Sequence, residues 1–218
     1  MVSETRRVVC LHGIWMPGAG MMYIKHRLES HYGYEVELFS YTPVTETLND
    51  VASKLEEFII RGGNEAAHLV GHSLGGVVAL RMLALGLPVN IGRIVCLGSP
   101  LSGSRAAFHL NQLDWGNLVL GKVVTEGVLE DAAHSWAAEV ADAYEIGIIA
   151  GDIPVGFGRF VAGFDEPNDG TVAVSETRMR GAKDHLVLRV SHVGMLISRD
   201  VVDQTAAFLK RGEFLRET

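Results

Sequence analysis

The sequence predicts an α/β fold, a mostly parallel sheet of about six strands flanked by helices, and three observations carry that prediction. Short apolar runs of strand length recur along the chain, stretches of helical length separate them, and several of the runs are apolar on successive residues. Alternation of strands with helices that long builds crossovers between parallel strands. A strand apolar on both faces belongs inside a sheet covered on both sides.

Taken in order, the strands are read at Arg7-Val8-Val9-Cys10-Leu11, Glu35 to Phe39, Ala67 to Val70, Arg93 to Leu97, Glu145 to Ala150 and His185 to Val190. Helices are read at Met21 to Tyr32, Leu48 to Arg61, Leu74 to Leu85 and Val201 to Lys210. The second has Leu48, Val51, Ala52, Leu55, Phe58 and Ile59 at helical spacing, with Glu56 and Glu57 on the other face, the pattern of a crossover packed on a sheet. Leu101 to Ala143 departs from this rhythm, because its 43 residues exceed what one crossover needs. It is read as a crossover helix with a small cap carrying Leu113, Trp115 and Leu118; two packed helices without a role at the site are the plainer alternative.

A length of 218 residues fits one domain, residues 1–218. With 48% hydrophobic and 21% charged residues the chain can bury enough apolar surface to fold, so general disorder is excluded. The net charge of −7 and the scattered basic residues give no cationic stripe, which argues against a nucleic-acid partner. Cys10 and Cys96 sit inside strand-type runs and read as small hydrophobes rather than a disulfide or zinc site. The most apolar segment, Gly75 to Leu87, is broken by Arg81 and ended by Pro88, so no membrane span is expected. The opening residues lack a signal-peptide pattern, and a cytoplasmic location is the expectation. Oligomeric state is left open.

The chemistry is concentrated at Gly71-His72-Ser73-Leu74-Gly75, a G-x-S-x-G pentapeptide between a buried-type strand and the start of a helix. A sharp turn there holds the serine in a strained conformation, and glycines two residues to either side let neighbouring backbone pass. Ser73 would stand at a helix N-terminus, where unpaired amides favour developing negative charge.

With these residues the chain resembles the α/β-hydrolases, closest in outline to small bacterial lipases and serine esterases, from Val8 to about Leu209. His12-Gly13-Ile14-Trp15 resembles the oxyanion loop after the first strand. Leu97-Gly98-Ser99-Pro100 resembles the segment after the strand that follows the elbow helix, with Leu101 where family members often carry histidine. Asn168-Asp169-Gly170-Thr171-Val172 resembles the acid turn, and Ser191-His192-Val193-Gly194-Met195-Leu196 the histidine loop. The order Ser73, Asp169, His192 is the order of that fold.

The resemblance implies a nucleophile Ser73, a base His192 and an acid Asp169. The backbone N–H groups of Ile14 and Leu74 would face the oxyanion, and Trp15, Met16, Val193 and Met195 the substrate. Asp152 and Asp165 remain alternative acids. Of the other histidines, His12 and His72 read as structural, and His26, His31, His109, His134 and His185 fall in helical, cap or strand-leading positions. No H-E-x-x-H spacing and no G-x-G-x-x-G after the first strand are present, so neither metal nor cofactor is expected.

The expected activity is hydrolysis of a small-molecule acyl ester with an apolar acyl chain. An acyl-thioesterase or acyltransferase on the same residues, or a binding protein that keeps the fold without turnover, are the alternatives. Arg105 is the one basic residue near the candidate segments.

Overall fold

In the computed structural model the described residues are 5–14, 18–86, 88–105, 107–108, 123–125, 128, 139–155 and 165–216. Among them the strands are β1 (Arg7–Leu11), β2 (Glu35–Phe39), β3 (Ala67–His72), β4 (Ile91–Leu97), β5 (Ile146–Gly151) and β6 (Asp184–Leu188). They form one sheet in the order β2-β1-β3-β4-β5-β6, with every pairing parallel. Helices α1 (Met22–Tyr32), α2 (Leu48–Arg61), α3 (Leu74–Ala84) and α4 (Arg199–Arg211) connect or follow the strands. Most of the segment 101–143, with Leu113, Trp115 and Leu118, lies outside the described residues.

Side-chain alternation along the strands divides the core in two. Val9, Leu11, Leu69, Ile94, Cys96 and Ile148 face α2 and α3, whereas Val8, Cys10, Val70, Val95, Leu97 and Ile149 face α1 and α4. That is why the strands read as unbroken apolar runs: each residue of β1 and β3 is buried, on one face or the other.

Local signals set the helix ends. Helix α2 starts in a capping box, in which the Thr47 side chain accepts from the Asp50 amide and Asp50 accepts from that of Thr47. Helix α4 is capped by Ser198 and ends at Gly212, φ 78°, where a residue with a side chain would be strained. Both cysteines are free and buried, and burial pushes their thiols up to about 12, which leaves them as apolar fillers. Among the described residues no helix is long and apolar enough to cross a membrane.

Gly147 on β5 has no side chain because Phe208 of α4 occupies that space; a Cβ there would meet the ring at 2.7 Å. Phe208 is fully buried. Phe208→Ala is expected to cost about 3–5 kcal/mol of stability, read as a fall in the urea midpoint with little change in slope.

Candidate active site

Parallel α/β sheets bind ligands beyond the carboxyl ends of their strands, and the predicted residues gather there. Ser73 follows β3, the Asn168–Thr171 turn follows β5 in sequence, and His192 follows β6. All three candidate side chains are nearly buried, Ser73 at 7%, Asp169 at 1% and His192 at 7% exposure.

The serine turn is set by backbone sterics. Ser73 has φ 54° and ψ −122°, and among the described residues it is the one non-glycine with positive φ. Such a conformation costs on the order of 1–3 kcal/mol and persists only where packing enforces it. Here the enforcement is close contact: a Cβ at Gly71 would lie 2.4 Å from the Gly76 nitrogen, and one at Gly75 2.5 Å from the Leu11 carbonyl oxygen. The Ser73 hydroxyl is not spent on capping α3, while its amide donates to the Leu97 carbonyl at 2.8 Å.

Asp169 is held by the turn that presents it. Its Oδ1 accepts from the amides of Thr171 and Val172 at 2.9 and 2.7 Å, and its own amide donates to Val172 O. Oδ2 accepts from His192 Nδ1 at 2.7 Å. Because a carboxylate takes that hydrogen bond, neutral His192 carries its proton on Nδ1 and presents Nε2 as an acceptor. Gly98 makes the pair possible, since a Cβ there would stand 3.0 Å from Asp169 Oδ2 and 3.2 Å from His192 Nδ1. Of the two alternative acids, Asp152 faces Arg189 at 3.8 Å and Asp165 is exposed.

The loop after β1 presses on the serine, with Gly13 so close that a Cβ would reach Ser73 Cβ at 2.9 Å. His12 shapes this loop. The Tyr41 amide donates to its Nε2 at 3.3 Å, so Nδ1 bears the proton and donates to Gly13 O at 2.8 Å. Burial holds His12 below the usual histidine range. In a trans peptide the C=O and the following N–H point to opposite sides, so this bond also fixes the direction of the Ile14 N–H.

Trp15 and Met16 lie outside the described residues. Val193 is exposed, next to His192 in sequence. Met195 requires a correction: it is fully buried among the residues facing α1 and α4. The 3-10 turn Gly194–Ile197 directs Met195 inward beneath Gly98 and Gly151, so it packs below Asp169 and His192 rather than lining a pocket.

One contributor escaped the sequence reading, and a second was read there only as structural. Glu176, nearly buried, accepts from the Arg105 amide and guanidinium through Oε1 and from the Ala173 amide through Oε2. It thereby ties the segment after β4 to the turn that carries Asp169; no spacing rule marks it. His72, read from the sequence as structural, donates from Nε2 to the His192 carbonyl at 2.9 Å, a partner that its place inside the pentapeptide does not announce.

Residues 8–209 match the model of the alpha/beta hydrolase family. The chain belongs to the alpha/beta hydrolase family. A mature lipase of Bacillus licheniformis, BlEst2, superposes with a TM-score of 0.73 at 18% identity, over 97% of this chain and 94% of that one. The metagenomic carboxyl esterase MGS0156 gives 0.68 at 16% identity, covering 98% and 73%. At these identities the likeness to the two structures is one of fold. In sequence, 73 residues are 38% identical to RutD of Yersinia enterocolitica, which carries the name of a carbamate hydrolase. That match spans 32% of this hydrolase-family chain and 26% of its relative.

Two neutral histidines at one site make an acid-sensitive fold. Burial, and next His192, hold His72 down to about 3, and burial holds His12 low as well. The unfolded chain takes up these protons below about 6.5, while the folded chain takes them up only at lower pH. Stability is therefore fully present above that value and is lost as pH falls beneath it. Urea midpoints between pH 7.5 and 5 should decline for the parent and decline less steeply for His72→Gln.

Proposed function

We propose that the protein is a serine ester hydrolase, in which Ser73 is the nucleophile, His192 the general base and Asp169 its orienting acid. The observation that carries this reading is the 2.7 Å hydrogen bond from His192 Nδ1 to Asp169 Oδ2, next to a serine held in a strained strand-to-helix turn. A serine hydroxyl is a poor nucleophile at neutral pH until an imidazole takes its proton.

In the first step Ser73 Oγ forms a bond to the acyl carbon while His192 Nε2 takes the hydroxyl proton. Charge developing on the carbonyl oxygen is met by the N–H groups of Leu74, at the N-terminus of α3, and Ile14. Collapse of the tetrahedral adduct breaks the acyl–oxygen bond, and the imidazolium returns its proton to the departing alcohol. A water then attacks the acyl-enzyme with His192 again as base, releasing the acid and regenerating Ser73. No cofactor enters these steps.

Substrate charge is limited by Arg105. Its guanidinium bonds Glu176 and Glu166, so an acyl group bearing its own carboxylate could recruit it only by displacing existing ion pairs. Ile14 and Val193 are apolar flanks of the site, and a neutral acyl chain meets no desolvation penalty there. Short to medium neutral acyl esters of small alcohols are thus the proposed substrates. Thioesters form a second class on the same residues, a reading favoured by the fold likeness to the type II thioesterase BorB, with a TM-score of 0.58 at 16% identity.

Ser73→Ala should lower kcat on an activated ester by roughly four to six orders of magnitude with unchanged far-UV circular dichroism, and an organophosphonate should label Ser73 of the parent. Retained turnover in Ser73→Ala, or a label elsewhere, would end the reading. Second, a neutral butyryl ester should be cleaved faster than its succinyl analogue; the reverse order would show that Arg105 is released to the substrate.

A further inference from the structure

We propose that His72 is a positioning residue for the reaction: its Nε2–H, bonded to the main-chain carbonyl of His192, fixes the base loop to the serine turn. The proposal rests on the serine hydrolase reading above and goes beyond it, because it gives a role to a histidine outside the reacting trio.

His192 is anchored at three points. Its side-chain Nδ1 donates to Asp169 Oδ2 at 2.7 Å, its amide donates to Asp169 O at 2.8 Å, and its carbonyl accepts from His72 Nε2 at 2.9 Å. The first two bind the base to the acid turn, and they leave acid and base free to shift together. The third binds the base to β3, across 120 residues of sequence, at the residue immediately before Ser73. One peptide unit separates the His72 and Ser73 Cα atoms, so whatever holds His72 also sets the distance from base to nucleophile.

The His72 ring is suited to this task and to little else. Its acceptor is a carbonyl oxygen, so Nε2 carries the proton and Nδ1 is bare. Nδ1 is buried without a hydrogen-bond partner among the described residues. A second proton there would create a buried, unpaired donor, and a positive charge whose ring centre is 4.7 Å from that of His192. Burial accordingly holds His72 far below the usual histidine range. When His192 becomes an imidazolium in the reaction, a neutral neighbour does not repel it, whereas a lysine or arginine at position 72 would.

The ring is also enclosed. His72 is 1% exposed, and a Cβ on Gly13 would come within 3.2 Å of its Nδ1. The oxyanion loop, the serine turn and the base loop therefore meet on one side chain. Misplacing a catalytic group by about 1 Å can cost on the order of 100-fold in rate, which is the scale of effect such a tie can exert.

The test uses the full-length protein and p-nitrophenyl butyrate. His72→Leu removes the donor at similar bulk, and His72→Gln carries an amide N–H to about the place of Nε2. The expected result for His72→Leu is a kcat about 10- to 100-fold lower with KM within about twofold, and slower phosphonylation of Ser73 by a similar factor. His72→Gln should recover most of the loss, with both variants melting cooperatively. Equal impairment of the two folded variants, or full activity in His72→Leu, would overturn the proposal.

If either variant fails to fold, 15N-histidine spectra of the parent decide. A neutral Nε2–H ring for His72 from pH 7 to 5, bonded to the His192 carbonyl, sustains the tie, and an Nδ1–H or charged ring overturns it. A parent that neither cleaves esters nor labels Ser73 fails the hydrolase reading, and with it the positioning role, while the spectra still report whether the tie exists.

Discussion

Helix α3 can lie against the sheet only because the backbone around Ser73 passes within contact distance of β1 and of itself. Gly71, Gly75 and Gly76 each stand where a Cβ would collide with backbone or with Ser99. Given that closeness, the chain must reverse from strand to helix within one residue, and Ser73 takes the positive φ that results. The strain, on the order of 1–3 kcal/mol, is opposed by the burial of α3, where Val77, Val78, Leu80 and Met82 are wholly enclosed. Each such side chain contributes about 1.5–3 kcal/mol, so the helix has ample packing energy to hold the turn. Relaxing Ser73 would require lifting the helix from the core.

Around this turn the polar groups are arranged to be neutral or fully bonded. His12 and His72 are both depressed by burial, one carrying its proton on Nδ1 and the other on Nε2, and each grips a main-chain carbonyl. Asp169 accepts three hydrogen bonds within its own turn and from His192. A buried polar atom left unbonded costs roughly 1–3 kcal/mol, so each of these bonds also penalises displacement of the loop it holds. The loops after β1, β5 and β6 are thus positioned by hydrogen bonds, while the serine turn is positioned by packing.

This division explains what could be read in the sequence. Packing leaves periodic traces: all six strands of the described sheet and the four helices were visible as apolar runs and helical spacing, to within a few residues. Helix α2 ran from Leu48 to Arg61 as read. The turn residues Asn168-Asp169-Gly170 were visible because such turns have a local composition. Hydrogen bonds between distant segments leave no such trace, so the grip of His72 on His192 and of Glu176 on Arg105 was not legible. Met195 was misread for a related reason. Its position soon after His192 placed it among the substrate-facing residues, yet a 3-10 turn of four residues sends its side chain inward at a spacing that no periodicity announces.

The placement of Asp169 shows the two kinds of constraint acting together. Asp152 directly follows β5 and by sequence proximity could have faced the imidazole, but it is turned toward Arg189. Asp169 reaches His192 from a later turn that folds back over the end of β5. That return is possible because the last residue of β5 is Gly151, where a Cβ would come within 2.9 Å of Asp169 Cβ and 2.3 Å of Val190 O. A larger residue at 151 would push against the Asp169 turn and the segment after β6 at once. Gly98 plays the same part at the end of β4, beneath the Asp169–His192 hydrogen bond. Glycine at the end of β5 and directly after β4 thus leaves the room in which a carboxylate carried on a separate turn comes down onto the imidazole, while the half-buried Asp152 pairs with Arg189 instead.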